Sequence, residues 1–205
     1  MKISNKLNVI IDPGKWLNKM LVPIEEKADI ILVTHRHQDH LGNAFEISKR
    51  NNAVIIAGED VINAVTRAGA SGELTKIIKP GEETSYKRVK IKGHKLTHGP
   101  KFFPFTRHLL GFTIFLGKKS FTHLGDAASL EDMQEIKCDV LFVPVGGFFT
   151  FNPNRAAEAI SIIKPKIAFP IHAKTSKAKD FLGLVKKKGL ETNVIVLEPG
   201  ASVTV

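Results

Sequence analysis

The chain has 205 residues, 43% of them hydrophobic and 24% charged, with a formal net charge of +10. That balance suits one folded domain over residues 1–205 with a sizeable core, and excludes a disordered or fibrous chain. No stretch nears the roughly 20 apolar residues of a membrane span, the N-terminus lacks the apolar centre of a signal peptide, and the single cysteine, Cys138, permits no internal disulfide, so a cytoplasmic location is expected.

In chain order, Asn8 to Ile11 reads as a strand ending at the turn signal Asp12-Pro13-Gly14. The apolar run Ile30 to Val33 is the next strand, too short for a helix. A helix is expected over Leu41 to Arg50, a strand over Ala53 to Ala57, a helix over Asp60 to Ala68 and a strand over Thr75 to Lys79, with Gly81 turning the chain. Arg88 to Thr97 alternates as a strand does, and Phe112 to Leu116 and Ser120 to His123 suggest a hairpin through Gly117-Lys118-Lys119. There follow a helix over Ser129 to Lys137, a buried strand over Val140 to Val145, a helix over Pro153 to Ile163 with proline in its first turn, and a strand over Ile167 to Ile171. Phe181, Leu182, Leu184 and Val185 give a last helix its buried face and Gly189 its stop, and strands over Val194 to Leu197 and Ser202 to Val205 close the chain. Strands alternating with helices imply two sheets flanked by helices in an α/β fold.

The segment after Val33 carries the chemistry. His35, His37, Asp39 and His40 fall within six residues at a strand end. Imidazoles and carboxylates are the ligands preferred by borderline divalent metals, and strand ends are where a rigid scaffold displays reactive side chains. Metal ligands must converge from several elements, and Asp12, His98, Asp126 and His172 each follow an apolar strand beside a small residue. His94 lies inside an alternating strand and reads as structural, while His108 follows the aromatic run Phe102 to Phe105 and suits substrate contact. His123, two residues before Gly125-Asp126, is expected to pack near the metals without binding them, and Cys138 to be a small core residue on the strand before Gly146-Gly147.

With His-x-His-x-Asp-His at His35 to His40, the chain resembles the metallo-β-lactamase superfamily. Further segments carry the likeness: Ala28 to His35, Gly111-Phe112-Thr113-Ile114, His123-Leu124-Gly125-Asp126, Val143 to Pro153, Ile163 to His172 and Leu197-Glu198-Pro199-Gly200. Within the superfamily it is most similar to the small metal-dependent hydrolases related to L-ascorbate-6-phosphate lactonase. The resemblance implies an αββα sandwich with N-terminal edge strands missing or shortened, because the family's opening strand pair precedes the first Asp and this chain starts almost at that residue. It implies two divalent ions, zinc or manganese or else iron. His35, His37 and His98 would hold one, Asp39, His40 and His172 the other, and Asp126 would bridge them. Asp12 would stand behind, accepting a hydrogen bond from a ligand imidazole or from backbone, and Asp39 would be the catalytic proton carrier.

The implied reaction is hydrolysis of a small anionic lactone, ester or phosphoester, with a positive field to attract it and Lys174, His108, Lys101 and Arg107 as candidate contacts. Phe148 to Phe151, like Phe102 to Phe105, are aromatic runs that could wall a pocket. A nuclease acting on nucleic acid is the disfavoured rival, because only 45 residues lie between Asp126 and His172, too few for the inserted domain of the RNA-cleaving branches. Redox chemistry is disfavoured because the di-iron branch has Glu where this chain has His37. A binding protein that uses the metals only as staples is the other alternative, and an open sheet edge would suit a homo-oligomer.

Overall fold

The computed structural model describes residues 1–5, 7–14, 22–99 and 107–205. The fold is mixed α/β with two sheets. The chain forms two compact units, Met1–Lys95 with Leu109–Leu116, and Leu96–His108 with Gly117–Val205.

The first unit is built on a five-stranded sheet in the order β1-β2-β3-β4-β5. Its strands are β1 (Lys2–Asn5), β2 (Leu7–Ile11), β3 (Ile30–Val33), β4 (Val54–Ala57) and β5 (Thr75–Ile77). From β2 onward the neighbours are parallel. All residues of β3 and β4 are buried, as continuous apolar runs in parallel sheets require. The edge strand β1, which the sequence reading left out, pairs antiparallel with β2, Lys2 opposite Ile10.

The expected helix over Leu41 to Arg50 is two, α1 (Gln38–Leu41) and α2 (Ala44–Asn51). Gly42 separates them at φ 41°, and a Cβ there would lie 2.3 Å from the Pro13 carbonyl oxygen. Ile47 of α2 and Val61, Ile62 and Val65 of α3 (Glu59–Arg67) join Ile10, Ile31, Val33 and Ile55 in one core cluster.

The first unit also holds β6 (Glu83–Tyr86), β7 (Val89–His98) as far as Lys95, and β8 (Arg107–Leu116) from Leu109. β6 was not foreseen, because its residues do not alternate and its turn lacks Asn-Gly. Lys87 and Arg88 take positive φ of 44° and 68° instead, giving the two-residue turn that matches strand twist. On β7, His94 Nε2 lies 2.7 Å from Thr113 Oγ1, and burial pushes the imidazole from 6.5 down to about 4. The folded chain therefore keeps His94 neutral where an unfolded chain protonates it. Its contribution is present above about pH 6.5 and is lost as pH falls toward 4. His94→Gln is expected to flatten that part of a stability-versus-pH curve measured by urea unfolding; an unchanged curve would contradict the assignment.

The second unit holds four parallel strands in the order β12-β11-β10-β9: β9 (Lys119–His123), β10 (Val140–Pro144), β11 (Ile167–Ile171) and β12 (Asn193–Val194). α4 (Pro153–Ile163) is capped by Asn152, whose side-chain oxygen accepts from the Arg155 amide at 3.0 Å. α5 (Thr175–Lys187) buries Ala178, Phe181 and Val185.

Two expectations fail in this unit. Ser129 to Lys137 is not an α-helix; only Glu131–Met133 is helical, with i to i+3 bonds from the Met133 and Ile136 amides. The closing strands reduce to β12, since Ala201 to Thr204 are exposed and unpaired to any strand.

The N-terminal ends of three parallel strands are tied by charge. Asp29, before β3, accepts from the Asn8 amide at 2.9 Å and from Lys87 at 3.0 Å. Asp139, before β10, accepts from Lys166, which precedes β11, and from the Ser120 amide and hydroxyl. Lys166 and then Ser120 pull the Asp139 carboxyl from 3.8 to about 2.

Candidate metal centre

In the first unit the donors are organised by Asp12, one residue past β2 and held at φ 48°. A non-glycine residue in that region is strained, and such strain collects at functional sites. Asp12 Oδ1 accepts from the Thr34 amide, and Oδ2 from the Thr34 hydroxyl and His40 Nδ1, each at 2.8 Å. A carboxylate only accepts, so His40 carries a proton on Nδ1, and Nε2 is its candidate ligand atom. That Nε2 lies 3.5 Å from Asp39 Oδ2.

The same reasoning reaches His35. The Thr34 hydroxyl spends its one proton on Asp12, so at 3.0 Å it can only accept from His35 Nδ1. His35 Nδ1 is thereby engaged, and its Nε2 lies 2.9 Å from His37 Nδ1. The His35 ring centroid is 4.5 Å from that of His37 and 4.1 Å from that of His40. His35 and His40 are buried, while Asp39 keeps 32% of its side chain exposed.

Close backbone approach fixes this group. A Cβ on Gly14 would lie 1.9 Å from the Asp39 carbonyl oxygen and 2.4 Å from the His40 amide nitrogen. Only glycine lets the Asp12-Pro13-Gly14 turn seat against α1.

In the second unit the donors gather on Asp126, which is 3% exposed. It follows Gly125, at φ 51°. Asp126 Oδ2 is 3.8 Å from His98 Nε2, and Oδ1 is 3.3 Å from His172 Nε2. His98 ends β7 and forms an isolated bridge with Ala127. The adjacent Thr97 amide donates to Asp132 at 2.7 Å. His172 sits at φ 54° just past β11, and a Cβ on Gly146 would lie 2.3 Å from its carbonyl oxygen.

His123 accepts the Gly125 amide on Nδ1 at 3.0 Å and stacks on Phe142. Lys174 is exposed at the start of α5. Lys101 and Phe102 to Phe105 lie outside the described residues, as do the side chains of Arg107 and His108.

Contrary to the expectation that it lies on a strand, Cys138 is in the segment before β10; burial pushes its thiol up to about 11. The donor set is thus imidazole and carboxylate without thiolate, which fits zinc, manganese or iron. Thr34, Gly14 and Gly146 were not singled out from the sequence. Asp12-Pro13-Gly14 signalled a turn, but nothing local shows which backbone will press against it.

Comparison with known proteins identifies the family. The sequence model of the β-lactamase superfamily domain matches residues 1–172. A UPF0173 metal-dependent hydrolase of Archaeoglobus fulgidus is 32% identical, the match covering 98% of this chain and 93% of the relative. One from Thermoplasma acidophilum is 33% identical over 84% of this chain and 79% of its own length. Among solved structures, Igni18, a metallo hydrolase of Ignicoccus hospitalis, superposes with a TM-score of 0.82 at 24% identity, covering 98% of this chain and 91% of that one. The metallo-β-lactamase fold protein YhfI of Bacillus subtilis gives 0.73 at 15% identity, covering 97% and 88%. No helix among the described residues is long and apolar enough to cross a membrane. The strand-end histidines and aspartates therefore have a family to which they belong: this chain is a member of the metallo-β-lactamase superfamily, in its UPF0173 group of metal-dependent hydrolases.

Proposed function

We propose that the chain hydrolyses a small anionic lactone, ester or phosphoester at a dinuclear centre. In this reading, which follows the sequence resemblance, His35, His37 and His98 would hold one divalent ion, Asp39, His40 and His172 the second, and Asp126 would serve both. The observation that carries the proposal is the order around Asp12, which engages Nδ1 of His40 directly and Nδ1 of His35 through the Thr34 hydroxyl, and so makes Nε2 the candidate ligand atom of each ring. Ligating imidazoles need a partner of this kind. When bound, the ions supply Lewis acidity and lower the pKa of water toward neutrality.

The chain's own groups do the rest. Asp39, the more exposed carboxylate, takes a proton from the attacking water at Oδ and returns it to the leaving group. Asp126 orients His98 and His172 from its buried position. Lys174 and His108 meet the anionic part of the substrate, which the net charge of +10 draws in. If the group is related to L-ascorbate-6-phosphate lactonase, as the sequence motifs suggest, a phosphorylated lactone is among the first substrates to try.

The test is elemental analysis of protein purified without added metal or chelator, followed by assays on lactones and phosphodiesters. About two ions per chain are expected, reduced in His98→Ala, together with hydrolysis that chelation abolishes. One ion or none in the folded protein, or full metal content in His98→Ala, would overturn the dinuclear reading.

A further inference from the structure

Phe148 is 94% exposed, twice the value of Val203 at 47%, the next most exposed large hydrophobic residue among the described residues. Scattered apolar residues on a surface need no explanation, but this one is held there at a steric cost. Its φ is 65°, in the left-handed region, and Gly147 before it is at 80°. Its position also differs from those of the two helix-ending residues Asn52 and Lys164 and of the hairpin pair Lys87 and Arg88, where positive φ closes an element.

The loop around Phe148 is tied down on both sides. The Gly147 amide donates to Phe151 at 2.9 Å, and the Thr150 hydroxyl to the Gly147 carbonyl at 3.2 Å. The Gly99 amide donates to Phe149 at 3.0 Å, and the Phe151 amide to Ala127 at 2.9 Å. These outer anchors adjoin the proposed ligands His98 and Asp126. The Phe149 ring stands edge-on to His98, centroids 6.4 Å apart, and the Phe148 ring edge-on to Phe149 at 4.8 Å. A file of rings thus runs from a metal-ligating imidazole out to solvent.

We infer that Phe148 determines specificity: its ring receives an aromatic or other apolar group of the substrate whose anionic group goes to the metals. The inference rests on the function proposed above and narrows its substrate class. A small molecule is the fitting occupant. Two rings offer far less than the roughly 800 Å² per partner of a stable protein interface, and a strained but pinned ring is preorganised to meet a ligand.

Calorimetric titration of the zinc-loaded protein with phenylphosphonate and with methylphosphonate tests this without any turnover. Phenylphosphonate is expected to bind about tenfold more tightly. The ratio should fall near one in Phe148→Ala and be intermediate in Phe148→Leu; melting curves check that both variants fold. An unchanged ratio in both variants overturns the inference alone. So does sedimentation showing a wild-type dimer that Phe148→Ala converts to monomer, since the ring would then serve a second copy. Failure of either phosphonate to bind the zinc-loaded wild type overturns the anion-taking centre itself, and this inference with it.

Discussion

Asp126→Ala is expected to remove both ions and to abolish hydrolysis. Asp126 is buried between His98 and His172, within 3.8 and 3.3 Å of their Nε2 atoms, and the proposed function gives it to both ions. Replacing an outer partner such as Asp12 typically costs about 10–100-fold in metal affinity, and loss of a shared ligand costs more at each site. The rate should fall about 10³-fold or more, since the Lewis acid supplies several kcal/mol to the barrier. Stability reads the same event independently. An ion present at about 100 times its dissociation constant adds about 2.7 kcal/mol, roughly 5–11 °C in a chain of this size. Zinc should therefore raise the melting temperature of the wild type and leave that of Asp126→Ala in place. A full zinc-induced rise in the variant would remove Asp126 from the centre.

The second large effect comes from a methyl group. In Gly14→Ala the new Cβ would meet the Asp39 carbonyl oxygen at 1.9 Å and its carbon at 2.0 Å, both backbone atoms that cannot rotate away. Either the Asp12–Gly14 turn or α1 must move, and α1 carries Asp39 and His40. Overpacking against side chains costs about 1–3 kcal/mol, and against backbone the upper end or beyond is expected, about 6–12 °C in melting temperature. Metal affinity should fall with it. Gly72→Ala is the control: a Cβ there meets nothing within 4 Å, so stability should hold or rise by up to about 1 kcal/mol. A Gly14→Ala protein with wild-type melting and metal content would show that the close approach does not position α1.

Much of the fold was legible because buried parallel strands are spelled as unbroken apolar runs. Ile30 to Val33 and Ile167 to Ile171 match β3 and β11 residue for residue, and Pro153 to Ile163 matches α4, which proline and Asn152 punctuate. Legibility failed where tertiary contacts overrule local pattern. The break at Gly42 depends on Pro13, 29 positions back in the chain. β6 exists because β7 pairs with it, not because Glu83-Thr84-Ser85-Tyr86 favours a strand. At the site, the donor residues could be named from their places past strand ends. The hydrogen bonds of Thr34 to Asp12, which decide where the imidazole protons sit, could not, since they join residues 22 positions apart.

The charge ties before β3, β10 and β11 and the donors beyond β2, β3 and β11 lie at opposite ends of parallel strands. Tuning robustness and tuning chemistry are in that sense separate engineering problems. Exchanging Asp29, Lys87, Asp139 or Lys166 alters how firmly strands are tethered at an end remote in sequence direction from the reactive one. Exchanging Phe148 or Phe149, past Pro144, alters the surface beside the proposed ligand His98 while leaving the buried β3 and β4 ladder untouched. A lineage starting from this chain could therefore change substrates by loop replacement and recover lost robustness at the far rim, each without renegotiating the other.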